Sequence, residues 1–302
     1  MSFHLDTPSK VSIVEVGPRD GLQNEKTPLT VQDKVTLIDA LSNTGLRRIE
    51  AGSFVSPKWV PQMANSDAVL TSIARQQGIS YSALTPNMRG LTDALAAKAD
   101  EVAVFGAASE SFSQKNINCS IEQSIERFIP VIDAAKAASV PVRAYISCVL
   151  GCPYEGEVSP QAVLDVSKTL LSLGCYEVSL GDTIGVGTPK KTSALLSLLL
   201  SQLPANKLAL HMHDTYGQAL ANVLIGLQHG IASFDASVAG LGGCPYAKGA
   251  SGNLASEDLL YMLENMDIDT GIDLQKLIKV GHHISVKLDR QNGAKAGRAL
   301  LA

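Results

Sequence analysis

Two histidines spaced two residues apart, His211 and His213 in Leu208-Ala-Leu-His211-Met-His213-Asp214, are the residues of this sequence best suited to act together. On a β-strand, residues i and i+2 project from the same face, so both imidazoles are offered to one point, as chelation of a metal ion requires. Two imidazoles need oxygen ligands beside them, and Asp20 and Asn253 are the candidates. Such a mixed nitrogen and oxygen set, without thiolate, suits a divalent cation such as Mg²⁺ or Mn²⁺ about as well as zinc. It also leaves positions open for water or substrate. Arg19 places a fixed cation directly beside Asp20, an arrangement fit to stabilise an oxyanion on a bound substrate; a plain salt bridge is the alternative. Glu50, in Arg48-Ile-Glu50-Ala-Gly52, and Asp182, in Ser179-Leu-Gly-Asp182-Thr183, are either further catalytic carboxylates or the partners that hold Arg19. Cys244 sits on a Gly-Gly pair and is followed by a proline, within a stretch from Ser237 to Asn253 that holds five glycines. That stretch cannot be a regular helix or an interior strand, and its thiol is either buried and inert or carried into a site by a lid.

The elements that must position these groups alternate strictly. The β-prone runs Val11 to Val16, Arg48 to Ala51, Ser80 to Leu84, Glu101 to Phe105, Val142 to Ser147, Glu177 to Leu180, Ala209 to His213 and Phe234 to Val238 predict eight strands. Helical patterns follow at 30–42, 63–76, 91–98, 121–138, 160–173, 189–202, 218–229 and 254–264, and Ser159-Pro160 and Thr188-Pro189 read as helix starts. This order predicts parallel strands with helical crossovers, hence a (β/α)₈ TIM barrel, with a doubly wound open sheet as the alternative. The barrel is preferred because the reactive residues follow many different strands, as a ring of loops requires. One catalytic domain is expected over 1–302, with residues 267–302 as a C-terminal helical extension: a helix near 272–288 and a polar tail from Arg290. Gly185-Val-Gly187-Thr-Pro-Lys-Lys191 lacks the spacing of a phosphate loop and reads as a strand-to-helix turn.

Composition narrows the function classes. With 302 residues, 45% hydrophobic and 18% charged, the chain can bury a large core. A net charge of -4 and the absence of long basic runs argue against a nucleic-acid partner. No apolar run approaches membrane-spanning length and the start, MSFHLDTPSK, lacks the apolar region of a signal peptide, so no membrane association and a cytoplasmic location are expected. Five cysteines without paired CxxC spacing suit reduced thiols.

Together, Gly17-Pro-Arg19-Asp20-Gly-Leu-Gln-Asn-Glu25, Glu50-Ala-Gly-Ser53, Gly181-Asp182-Thr-Ile-Gly185, His211-Met-His213-Asp214 and Ser237-Val-Ala-Gly-Leu-Gly-Gly-Cys244-Pro-Tyr246 resemble the 3-hydroxy-3-methylglutaryl-CoA lyase family from about residue 10 onward. The Arg-Asp-Gly and His-x-His elements recur across a wider metallolyase superfamily that includes condensing synthases; the Gly-Gly-Cys-Pro-Tyr loop is far more specific to the lyases. The resemblance implies a TIM barrel that cleaves an acyl-CoA thioester to acetyl-CoA and acetoacetate and acts as a homodimer. It implies Asp20, His211, His213 and Asn253 as metal ligands and Arg19, Asp20, Glu50, Asp182, His211 and Cys244 as catalytic residues. One departure is that Arg298-Ala-Leu-Leu-Ala302 carries no cysteine, where animal lyases have one able to form an intersubunit disulfide.

Overall fold

Eight short strands form the centre of the computed structural model, which describes residues 7–243 and 252–301. They are β1 (Ser12–Glu15), β2 (Arg48–Ser53), β3 (Ser80–Leu84), β4 (Glu101–Ala107), β5 (Val142–Ser147), β6 (Glu177–Asp182), β7 (Leu208–Met212) and β8 (Ser233–Ala236). Each pairs in parallel with the next in the chain, and β8 closes on β1, from Ser12 opposite Ser233 to Glu15 opposite Ala236. The expected (β/α)₈ barrel is therefore what the chain forms, and the open sheet is excluded by that last pairing.

The crossovers are α1 (Val31–Ser42), α2 (Ser66–Ser72), α3 (Met88–Ala96), α4 (Glu110–Ile117), α5 (Ile121–Ala137), α6 (Pro160–Leu173), α7 (Pro189–Leu200) and α8 (Ala219–Gln228), followed by α9 (Ser256–Glu264), α10 (Leu274–Lys287) and α11 (Lys295–Leu300). Their starts follow local chemistry. Thr30 and Asp33 form a reciprocal capping box on α1, and Ser159 and Thr188 cap α6 and α7, each ahead of a proline in the first turn. The helix expected at 63–76 is divided: a 3₁₀ turn at Pro61–Met63 precedes α2, because Asn65 adopts left-handed backbone between them. Two helices are too short for periodicity to show, α4 behind its Ser109 cap and α11 within the supposed polar tail. In α11, Gly297 lets the helix approach Asn292 and Glu257 closely.

The barrel separates apolar from charged side chains by strand parity. Val102, Val104, Ala144, Ile146, Val178 and Leu180 join the core beneath the helices. Their strand neighbours turn inward and meet across the barrel. Arg143 on β5 makes two hydrogen bonds to Asp235 on β8 (2.8 and 3.1 Å) and one to Glu177 (2.6 Å), which also accepts from Arg48 on β2 (2.9 Å). Arg143, Glu177 and Asp235 are almost wholly buried and Arg48 is partly so. Each needs its partners, since an uncompensated buried ion costs about 3–5 kcal/mol.

Candidate active site

Arg19 and Asp20 leave β1 on a five-residue π-helical turn, Gly17–Gly21, with Pro18 in its first turn. The Val16 carbonyl accepts from both Arg19 and Gly21 amides at 3.1 Å, closing the wide ring. Such turns recur at functional sites because the extra residue re-aims side chains. Arg19 donates from Nε to Glu50 Oε2 and from NH1 to Asp20 Oδ1, both at 2.7 Å, which leaves NH2 for another anion. Burial works against the Arg19 charge, yet the two carboxylates hold its pKa far above the ordinary value. The second oxygen of Glu50 is buried and has no hydrogen-bond partner among the described residues. Glu50 precedes a register shift between β2 and β3, which turns the end of its strand.

His211 lies in β7 and His213 just past its end; their Nε2 atoms approach to 3.2 Å. His211 Nε2 is 3.8 Å from Asp20 Oδ2, and one ligand atom from each of Asp20, His211 and His213 falls within 4.8 Å of the others. This is a donor set that a divalent cation fits: an anionic oxygen and two imidazole nitrogens converging from two loops. The electrostatics agree. Burial would raise the Asp20 pKa, but Arg19 and the imidazoles outweigh it and hold the carboxylate at about 2. Burial and the neighbouring His211 push His213 down to about 4, so at neutral pH its nitrogen carries a free lone pair.

Asn253 is brought in by the return leg of the glycine loop. The Leu254 amide bonds the Met212 carbonyl at 3.0 Å and the Asp214 amide bonds that of Gly252 at 2.9 Å, so Asn253 bridges His213. Gly252 has φ +81, and a Cβ there would lie 2.4 Å from the Gly242 carbonyl oxygen. Only glycine permits the two legs to touch. The Asn253 amide donates to Asp20 Oδ2 (2.8 Å) and to the Leu241 carbonyl (3.2 Å), so in this arrangement it steadies Asp20. Asp182 is wholly buried at the end of β6, and its carboxylate accepts from the amides of Val186 (3.1 Å) and Gly187 (2.8 Å). It therefore shapes the β6–α7 turn, and Glu50 is the carboxylate that pairs with Arg19. Burial raises the Asp182 pKa to about 6. Cys244 lies outside the described residues.

Sequence reasoning missed the residues behind the candidate ligands. Asp235 Oδ2 stands 3.1 Å from His211 Nδ1, fixing the ring so that Nε2 faces Asp20, and the same oxygen accepts from Ser179 at 2.7 Å. Burial would raise the Asp235 pKa; Arg143 and His211 hold it well below the ordinary carboxylate range. Tyr145 lies between two cations, with the Arg19 and Arg143 guanidinium carbons 5.4 and 5.0 Å from its ring centre. A charged residue at an inward position of a strand was the available signal, present in Arg143, Glu177 and Asp235. Glu15, also buried, ties the two halves of the site: Oε1 accepts from the Gly17 and Val238 amides (2.8 and 2.9 Å), and Oε2 meets Ser256 Oγ at 2.6 Å. Glu257 holds the Ala239 amide with both oxygens. Burial pushes these carboxyls up to about 7 and about 8.

Fold and site together define a (β/α)₈ barrel with a His-His-Asp cluster able to hold a cation and an arginine held by two carboxylates at the strand C-termini, the end at which barrel enzymes do their chemistry. The chain belongs to the HMGL-like family, whose profile matches residues 10–284. A Pseudomonas aeruginosa protein named 3-hydroxy-3-isohexenylglutaryl-CoA/hydroxy-methylglutaryl-CoA lyase is 58% identical over 298 residues, covering 99% of each chain. The crystal structure of hydroxymethylglutaryl-CoA lyase from Pseudomonas aeruginosa superposes with a TM-score of 0.96 at 58% identity, over 98% of this chain and 99% of that one. An HMG-CoA lyase from Acinetobacter baumannii, in complex with coenzyme A and 3-methylmalate, gives 0.92 at 36% identity over 96% and 95%.

Proposed function

We propose that the protein is a divalent-cation-dependent lyase that cleaves 3-hydroxy-3-methylglutaryl-CoA to acetyl-CoA and acetoacetate. The observation that carries this reading is the convergence of Asp20, His211 and His213 on one point beside Arg19. Asp20, His211, His213 and, with its amide turned, Asn253 would hold Mg²⁺ or Mn²⁺. A cation bound there supplies Lewis acidity that lowers the pKa of the substrate's tertiary hydroxyl.

The remaining work falls to the chain. Cleavage removes the hydroxyl proton, forms the ketone as the adjacent C–C bond breaks, and sends the electron pair into the thioester as an enolate, which is then protonated at carbon. Arg19 NH2 is the donor to the enolate oxygen; its other nitrogens are fixed by Glu50 and Asp20, so the guanidinium need not reorganise as charge develops. The unpartnered Glu50 oxygen and Asp20 are acceptors for the hydroxyl proton. Cys244, which lies between Gly242 and Gly252 in the sequence, is assigned the protonation of the enolate carbon.

The CoA moiety is assigned to a cleft of about 800 Å³ that opens beside Asn253. Among the described residues on its walls, Lys26 and Arg298 are the cations left for phosphate, since Arg290 pairs with Glu25 and Lys295 with Asp214. Among the described residues no helix is long and apolar enough to cross a membrane. The test is to strip the protein of metal, restore Mg²⁺ or Mn²⁺, supply the thioester and identify products by mass spectrometry. Cation-dependent release of acetyl-CoA and acetoacetate is expected; full turnover after exhaustive chelation, or no cleavage with any divalent ion, would overturn the proposal.

A further inference from the structure

Across the barrel mouth from the cation ligands lies an apolar arc that the charge chemistry does not use. Leu84 on β3, Ala103 and Phe105 on β4, Tyr145 on β5 and Val55 beyond β2 form a hydrophobic cluster of their own, apart from the main core. Strand register explains it: Leu84 stands opposite Ala103 and Phe105 opposite Tyr145, while Val102, Val104 and Ala144 on the same strands pack into the main core on the other face. The arc is thus inside the barrel. It also adjoins the site, since the Tyr145 ring meets His211 edge-on at 6.1 Å between centroids and lies 5.4 Å from the Arg19 guanidinium. Phe105 and Val55 are only half-buried. For a side chain pointing inside a packed barrel, as Phe105 does, solvent reaches it through the mouth, so its ring opens toward the mouth.

We propose that this arc is the pocket for the alkyl substituent on C3 of the substrate, and that Phe105 sets how long that substituent can be. The inference rests on the lyase reading. In that reading C3 is tetrahedral, bearing a hydroxyl, two arms that end in thioester and carboxylate, and one alkyl group. The hydroxyl turns to Asp20 and the histidines and the thioester oxygen to Arg19, all on the β1 and β7 side. The alkyl group then faces the opposite sector, where β3 to β5 offer hydrocarbon and no unpaired charge. Phe105 is the largest half-exposed member of the arc, and it presents a ring that a methyl group touches and a longer chain must displace.

The experiment compares kcat/KM for thioesters bearing a methyl and a pentyl group at C3, in the cation-loaded protein and its variants. Phe105→Ala should raise the pentyl-to-methyl ratio about tenfold or more, since even one methylene in such a pocket is worth about that much. Phe105→Leu should give an intermediate ratio and Phe105→Trp a lower one than the parent. Val104→Ala, on the same strand but facing the main core, should leave the ratio unchanged. A ratio that stays within about twofold of the parent in the Phe105 variants, while methyl cleavage persists, refutes the pocket and leaves the lyase reading intact. Absence of methyl cleavage in the parent protein overturns the lyase reading and the pocket with it.

Discussion

Asp235→Asn changes one atom in a fully packed setting, and its cost can be worked from the bonds the carboxylate makes. Oδ2 accepts from His211 Nδ1, Arg143 NH1 and Ser179 Oγ, and Oδ1 accepts from Arg143 NH2. An amide keeps one acceptor oxygen. Placed at the Oδ2 position, it preserves three of these bonds but sets its NH₂ against the Arg143 NH2 donor 2.8 Å away. Arg143 then keeps one bond to the amide oxygen, and its one remaining carboxylate partner is Glu177, which Arg48 already shares. Removing the charge that compensates a buried cation such as Arg143 costs about 3–5 kcal/mol. For a chain of 302 residues the unfolding entropy is about 0.6 kcal/mol/K, so Tm should fall by about 5–8 °C. The same change replaces the anionic acceptor of His211 Nδ1 by a weaker neutral one, and Mn²⁺ affinity should drop about 10- to 100-fold, as for other groups that orient a ligand. Ser179→Ala removes a single hydrogen bond, about 1 kcal/mol, and serves as the reference. Thermal unfolding and titration calorimetry with Mn²⁺ give both quantities. An Asp235→Asn protein whose Tm lies within about 1 °C of the parent's and whose Mn²⁺ affinity is unchanged would show that this carboxylate neither secures the barrel charges nor orients His211.

Arg19→Met should lower kcat at least about 100-fold, the low end for loss of one oxyanion donor, while Mn²⁺ still binds; an unchanged kcat would reduce Arg19 to a structural ion pair with Glu50. Glu15 and Glu257 predict a pH effect whose sign follows from their pKa values of about 7 and about 8, raised from 4.5. A carboxyl raised by folding binds more protons folded than unfolded, so its contribution is whole below about pH 4.5 and declines as pH climbs through the folded value, by about 3 kcal/mol for Glu15. Glu15→Gln, which cannot ionise, should therefore gain in Tm relative to the parent between pH 5 and 8; parallel Tm profiles over that range would rule this out.

The alternation of β-prone runs with helical periodicity was legible in the sequence because each element carries its own signal: a period, a capping hydroxyl, a proline in the first turn. So were His211 and His213, because the geometry of a strand puts residues i and i+2 on one face whatever the fold. The Gly-rich stretch announced a shaped loop, and Gly242 and Gly252 do back onto each other at its base. Tertiary structure alone decided which groups meet. Asp20 reaches His211 because a π-helical turn follows β1 and because β8 closes the barrel onto it, neither of which leaves a periodic trace. Of the two carboxylates that might have held Arg19, Glu50 does so and Asp182 bonds its own turn, a choice set by strand register and invisible in spacing. Asp235, Arg143 and Glu15 read in sequence as single charges inside short strands. They acquire meaning only when closure of the sheet buries them, since burial is what makes a charge demand a partner.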